Sequence, residues 1–225
     1  MPTSHIPTLA VMQKKSKHRT INFMKHELKH NGFIHLKNQS ETQLQEILNF
    51  IGVTIMVTDI VVKAESKGLV TTAKGIDFHT DHHKAKYIVW YCHKQTDDGG
   101  DSLLIDAEYI YSKLSINEQE DLKSVELFEH KIYSEDKSSF PFVEIDENNN
   151  KQFHCSLMDD KDKNKSAFIA FQDLVKETKP TKINLKKKDI LIVDNHRIFH
   201  GRTAIEGSKD RFLKRYWLSA ANNNL

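Results

Sequence analysis

From about residue 53 the chain changes texture. Before it, apolar residues recur at helical spacing. After it come short segments rich in β-branched and aromatic residues. VTIMVTDIVVK (53–63), KYIVWYCH (86–93), DSLLID (101–106), HKIYS (130–134), FPFVEID (140–146) and KQFHCSL (151–157) all read as strands. TKINLKKKDILIVDNHRIFHGRTA (181–204) and DRFLKRYWLSA (210–220) add what read as three successive strands. So many short strands exclude an alternating βαβ fold. They predict a mainly β architecture with flanking helices, a β-sandwich or barrel with helical decoration.

The helices lie in front, between and outside. Residues 20–31 carry Ile21, Met24 and Leu28 at helical spacing, with Gly32 as the stop, and GFIHLKN (32–38) follows as a short strand. SETQLQEILNFIG (40–52) is the clearest helix: Ser40 and Gln43 form a capping box, and Leu44, Ile47, Leu48 and Ile51 share a face. Further helices are expected over 107–114, over 116–124 with Asn117 as the cap, and over 165–177 with Phe168, Phe171, Leu174 and Val175 on one side. The polar stretches 146–151 and 159–165 read as loops, the second as part of a mobile lid. With no internal repeat, the 225 residues predict one domain.

Lysine and arginine nearly balance aspartate and glutamate, for a net charge of +2, which gives no reason to expect a nucleic-acid or membrane partner. The apolar runs 50–57 and 189–193 are far shorter than the ~20 residues of a membrane helix. No leader pattern opens the sequence, and two cysteines make no disulfide framework, so a reduced, cytoplasmic setting is expected.

The chemistry-bearing residues cluster in FHTDHH (78–83) and DNHRIFHG (194–201). On a strand, residues i and i+2 point the same way, so His79 and Asp81 would face one cavity. His196 and His200, four apart, would share a face of a second strand, and either could complete a site. Two histidines and one carboxylate with open positions is the donor set of non-haem Fe(II) oxygenases. An H-x3-H zinc pair belongs on a helix, and these flanks are strand-like. His82, His83, His93, His130 and His154 read as surface or core residues.

Three motifs in order, FHTD (78–81), GGDSLLIDA (99–107) and DNHRIFHGRTAI…DRFLKRYWL (194–218), resemble the taurine dioxygenase and clavaminate synthase-like family of Fe(II)/2-oxoglutarate oxygenases. The resemblance spans roughly 70–218. It implies a double-stranded β-helix (jelly-roll, cupin-like) core over that range, with residues 1–60 a variable helical front and 134–165 a lid-like insert. It further implies His79, Asp81 and His200 as iron ligands, since the D-N-x-R-x-x-H-G pattern selects His200 over His196. Arg211 would pair with the distal carboxylate of 2-oxoglutarate, Ser102 would stand where the family has a threonine on that carboxylate, and Arg215 would anchor an acidic group of the substrate. Arg197 and Arg202 receive no role.

The implied cofactors are Fe(II), 2-oxoglutarate as co-substrate, and O2. The implied reaction is hydroxylation of an unactivated C–H bond, with succinate and CO2 released. Aspartate at 81 fills the position that halogenating relatives leave open for chloride. The expected substrate is a small anionic molecule, a free and basic amino acid in the first instance, with Glu65, Asp77, Glu135, Asp136, Asp159 and Asp160 available for an amine. A sulfonate, a phosphonate or a carrier-bound acyl group docking on NLKKKD (184–189) is the alternative within the family. A non-catalytic metal-binding jelly-roll protein is the alternative outside it. A homodimer is the default for such chains, and no motif marks it.

Overall fold

The computed structural model describes residues 21–63, 69–128, 131–137, 139–147, 149–156 and 162–220. Helix α1 (residues 21–31) leads into β1 (Phe33–Leu36), and α2 (Glu41–Ile51) into β2 (Gly52–Val61). Then follow β3 (Ile76–His79), β4 (Tyr87–Lys94), β5 (Ser102–Asp106), α3 (Ala107–Tyr111) and α4 (Ile116–Leu122). Two hairpins come next, β6 (Glu126–Phe128) with β7 (Ser139–Pro141), and β8 (Val143–Ile145) with β9 (Lys151–Phe153). The chain closes with α5 (Ser166–Glu177), β10 (Thr181–Ile183), β11 (Ile190–Asp194), β12 (Ile198–Arg202) and β13 (Phe212–Ala220).

The strands form a five-stranded sheet, β1-β11-β4-β13-β2, and a four-stranded sheet, β10-β5-β12-β3, with every named pairing antiparallel. Strands far apart in sequence are neighbours in both sheets, and the two sheets share one core, as in the jelly-roll that the resemblance implies. Among the described residues, no helix is long and apolar enough to cross a membrane.

Strand alternation sorts the side chains. On β4, Tyr87, Val89 and Tyr91 meet α1 and α2, while Ile88 and Cys92 face the space between the sheets. On β11, Ile190 and Ile192 point outward, Leu191 and Val193 inward. The outer face of the smaller sheet, through Ile105 and Phe199, is covered by α3, α4, α5 and the hairpins around Phe142, Phe153, Phe168 and Phe171. While the edge strands β2 and β10 stay partly exposed, the central strands of both sheets are therefore buried on both faces. That is why β11 reads ILIV with no polar alternation.

The capping box of α2 is present: Ser40 Oγ accepts from the Gln43 amide at 3.2 Å, and the Gln43 side chain accepts from the Ser40 amide at 2.8 Å. Ser40→Ala is expected to destabilise the protein by about 1 kcal/mol. A urea midpoint unchanged from wild type would contradict this.

Several expectations are corrected. Ser115, not Asn117, caps α4, because its hydroxyl reaches the Glu118 amide and Glu118 returns the bond. α3 stops at Tyr111. Residues 131–134 form no strand: Asp136 Oδ2 accepts the Ile132 and Tyr133 amides and curls them into a turn. The final stretch holds four strands, since a turn at 195–197 separates β11 from β12 and β10 stands apart. His196 sits in that turn and so shares no strand face with His200. The insert near 134–165 contains β7, β8 and β9, and residues 159–161 of the second polar stretch lie outside the described residues.

Candidate metal centre

β3 and β12 pair so that His79 lies directly opposite His200, which sets the two imidazoles side by side, 4.4 Å between ring centroids. Asp81 comes from just past the end of β3. Its place is fixed by Asn195, which is fully buried. The Asn195 amide oxygen accepts from the Asp81 N–H at 2.7 Å, and its nitrogen donates to the carbonyls of Asp81 and Ala85. Thr80 is pinned from the other side, by its N–H to the Cys155 carbonyl and by the Cys155 N–H to its hydroxyl. One ligand atom from each of His79, Asp81 and His200 lies within 4.8 Å of the others.

The donor set fits a divalent transition metal. His79 Nδ1 donates to the Asp77 carbonyl at 2.8 Å, so Nε2 keeps its lone pair. Burial, with His200 beside it, pushes the His79 imidazole down to about 3, so it is neutral and ready to ligate. Both His200 nitrogens are buried without a hydrogen bond. Burial alone would favour the neutral Asp81 carboxyl, but Arg215 and the imidazoles outweigh it and hold the group ionised, well below the usual carboxylate range.

Arg215 sits on β13 opposite Trp90 and faces inward. Its Nη1 donates to both Asp81 oxygens at 3.0 Å, its guanidinium lies 5.0 Å from the Trp217 ring centroid, and its Nε is buried without a partner. The Trp217 Nε1–H donates to Asp81 Oδ2 at 2.9 Å. Arg211, just before β13, is 4% exposed. Its Nε donates to Gln95 Oε1 at 2.9 Å, and it makes no ion pair among the described residues. Burial, with Arg202 beside it, lowers Arg211 to about 10, so it stays charged at neutral pH. Ser102, Arg211 and Arg215 line one cavity with His79, His200 and Trp90.

All six residues singled out in the sequence thus converge. The sequence reasoning missed Trp217, although it stands two residues after Arg215 and strand alternation puts it on the same face. It also missed Asn195, whose contact with Asp81 spans the fold. Arg202, without a role in the sequence, donates to the carbonyls of Val70, Thr72 and Lys74 and ties that segment to the cavity wall. Arg197 binds Asp106, the cap of α3, and the carbonyls of Lys29 and His30, a structural role.

The acidic residues expected to receive an amine do not gather at the triad. Glu65, Asp159 and Asp160 lie outside the described residues. Glu135 is exposed and pairs with Lys84, and Asp77 borders a separate cavity against α5. Asp136 is buried against His82, at 2.9 Å. His82, His83 and Asp136 also come within 4.8 Å of one another. His82 has both nitrogens engaged, by Asp136 and by the Lys84 N–H, so this group latches the 131–137 turn to the segment carrying Asp81.

Comparison with known proteins agrees with the geometry. The family model "Taurine catabolism dioxygenase TauD, TfdA family" matches residues 16–217. Gamma-butyrobetaine dioxygenase from Homo sapiens is 27% identical over 192 residues, covering 72% of this chain and 48% of that protein, and the Pongo abelii protein matches equally. The chain spans about half the length of these curated relatives. Among solved structures, an asparagine oxygenase in complex with Fe(II), 3-hydroxyasparagine and succinate superposes with a TM-score of 0.73 at 15% identity, covering 91% of this chain and 79% of that one. The non-haem iron oxygenase OrfP in complex with Fe and alpha-ketoglutaric acid gives 0.68 at 16% identity, covering 90% and 80%. These likenesses show the jelly-roll fold, and the family model, matched over most of the chain, shows that the chain belongs to the TauD/TfdA dioxygenase family.

Proposed function

We propose that this chain is an Fe(II)/2-oxoglutarate-dependent dioxygenase that hydroxylates an unactivated C–H bond of a small anionic substrate, an amino acid in the first instance. His79, Asp81 and His200 hold the iron. Bound there, the metal supplies the O2-activating chemistry that couples decarboxylation of 2-oxoglutarate, to succinate and CO2, with substrate oxidation. The protein's own residues bind and orient.

The observation that carries this reading is Arg211. It is a buried guanidinium beside the triad with no counter-anion among the described residues. A buried cation without a partner is costly. A dicarboxylate held at the metal supplies the missing charge, and the planar fork suits a bidentate contact that lysine cannot copy. The Ser102 hydroxyl lines the same cavity and is placed to help hold that carboxylate. A protein that merely stores a metal has no use for this arginine. Arg215, with a spare buried Nε, is the handle for the acidic group of the substrate. Asp81 fills the third ligand position, which favours hydroxylation over halogenation.

The test is the visible charge-transfer band that forms when Fe(II) and 2-oxoglutarate meet in an anaerobic site. The wild-type protein is expected to form it. Arg211→Ala is expected to need about 100-fold more 2-oxoglutarate, as truncating one side of a buried charged pair costs about 2–5 kcal/mol. Folded wild-type protein that forms no band sinks the reading.

A further inference from the structure

The triad has two sides. His79 and His200 border the cavity just assigned to the co-substrate, whereas Asp81 borders a second recess, walled by Thr80, Leu127, Phe128, Phe140 and His154. As it stands, the recess has room for about one water-sized group, about 10 Å³. Its polar walls are mostly engaged. The Thr80 hydroxyl accepts from the Cys155 N–H, and the Ser156 hydroxyl donates to the Phe128 carbonyl.

His154 is the exception. It is 5% exposed, and neither ring nitrogen has a hydrogen bond. Each buried, unsatisfied polar atom costs about 1–3 kcal/mol. Glu144 Oε2 stands 3.6 Å from Nε2, beyond hydrogen-bond length but near enough to favour the tautomer with the proton on Nε2. Nδ1 is then a lone-pair acceptor. Beside it, 5.3 Å between ring centroids, His196 donates from Nε2 to the His83 carbonyl and leaves its own Nδ1 buried and unpaired. The recess therefore presents an unpaired acceptor at His154, with a second unpaired nitrogen on His196 beside that ring, and lacks a donor. The Phe140 ring, 4.7 Å from His154, lines the same recess and suits a cationic or N–H-bearing group.

We propose that His154 is a specificity-determining residue, which accepts a hydrogen bond from an N–H-bearing end group of the substrate: an ammonium, a guanidinium or a carboxamide. This rests on the oxygenase reading above. It replaces the acidic side chains expected from the sequence with an imidazole acceptor as the group that reads the far end of the substrate.

Matched pairs of probes test it. The anaerobic Fe(II)–2-oxoglutarate protein is titrated with lysine against norleucine and with glutamine against glutamate, following the perturbation of the charge-transfer band. The N–H-bearing member of a pair is expected to act at a concentration at least about tenfold lower than its partner. In His154→Leu this preference should vanish, while the band and its 2-oxoglutarate midpoint stay unchanged. In Glu144→Gln, at a half-exposed strand position that tolerates the change if His154→Leu fails to fold, the preference should fall part of the way. A preference that survives both substitutions overturns the proposal, as does a panel in which no N–H-bearing probe perturbs the band. Absence of the band in wild type is a different failure: it removes the oxygenase reading and this proposal with it.

Discussion

Asp81→Ala is expected to abolish metal-dependent turnover and to destabilise the fold at the same time. The first loss follows from the donor set, since Asp81 is the only carboxylate among the three ligating side chains. The second follows from Arg215. That guanidinium is 8% exposed, and its two hydrogen bonds both end on the Asp81 carboxylate. Removing the carboxylate leaves a buried cation without a partner, at about 3–5 kcal/mol, and strands the Trp217 N–H as well. For a domain of this size that is a fall of roughly 10 °C in Tm. The two losses separate in a double variant: Asp81→Ala with Arg215→Met should recover most of the melting temperature and stay inactive. Wild-type melting of metal-free Asp81→Ala would show that Arg215 does not depend on Asp81. Retained iron-dependent turnover would show that the triad is misassigned.

What could be read from the sequence follows a physical line. Properties set by neighbours along the chain were legible: the capping box at Ser40 and the apolar face of α2. Spacing left His196 and His200 both open, and the family resemblance chose His200; the register of β3 and β12 then sets His200 opposite His79. Contacts made across the fold were not legible. Asp81 lies beyond the end of β3, so strand alternation does not place it; the side chain of Asn195, 114 residues away, does. The turn at 131–136 looked like a strand because Ile132 and Tyr133 have β-type side chains. The Asp136 carboxylate that captures their amides is a local polar contact that outweighs that propensity. Arg202 could not be assigned because its three acceptors are main-chain carbonyls of a segment far away in sequence. His154 looked like an ordinary core histidine, and only its unpaired nitrogens mark it out.

The same buried imidazoles make the metal-free protein acid-sensitive at unusually mild pH. Burial, with neighbouring positive charge, lowers His79 to about 3 and His196 to about 4, and lowers His154 well below its ordinary value. In the unfolded chain all three take up a proton near pH 6.5. The folded state excludes those protons, so the unfolded state binds more of them as pH falls, and acid favours unfolding. The stability these groups contribute is fully present above about pH 7. It is lost progressively below about 6.5, until the folded-state values are reached near 4 and 3. Each group contributes up to about 1.4 kcal/mol per pH unit within that window, so the three together give a slope of about 4 kcal/mol per unit near pH 5. Against a total stability of about 5–15 kcal/mol, that is enough to unfold the protein between roughly pH 5 and 4. Urea denaturation of the metal-free chain from pH 7.5 to 5 should show the slope, and His154→Leu should remove about a third of it. Metal binding should raise the stability across this range without flattening the slope, because folded His79 is already unprotonated there and the unfolded chain still takes up its proton. Stability that stays level between pH 7.5 and 5 would mean that these imidazoles are hydrated or charged in the folded protein, which would remove the physical basis for reading His79 as a ready ligand and His154 as an unpaired acceptor.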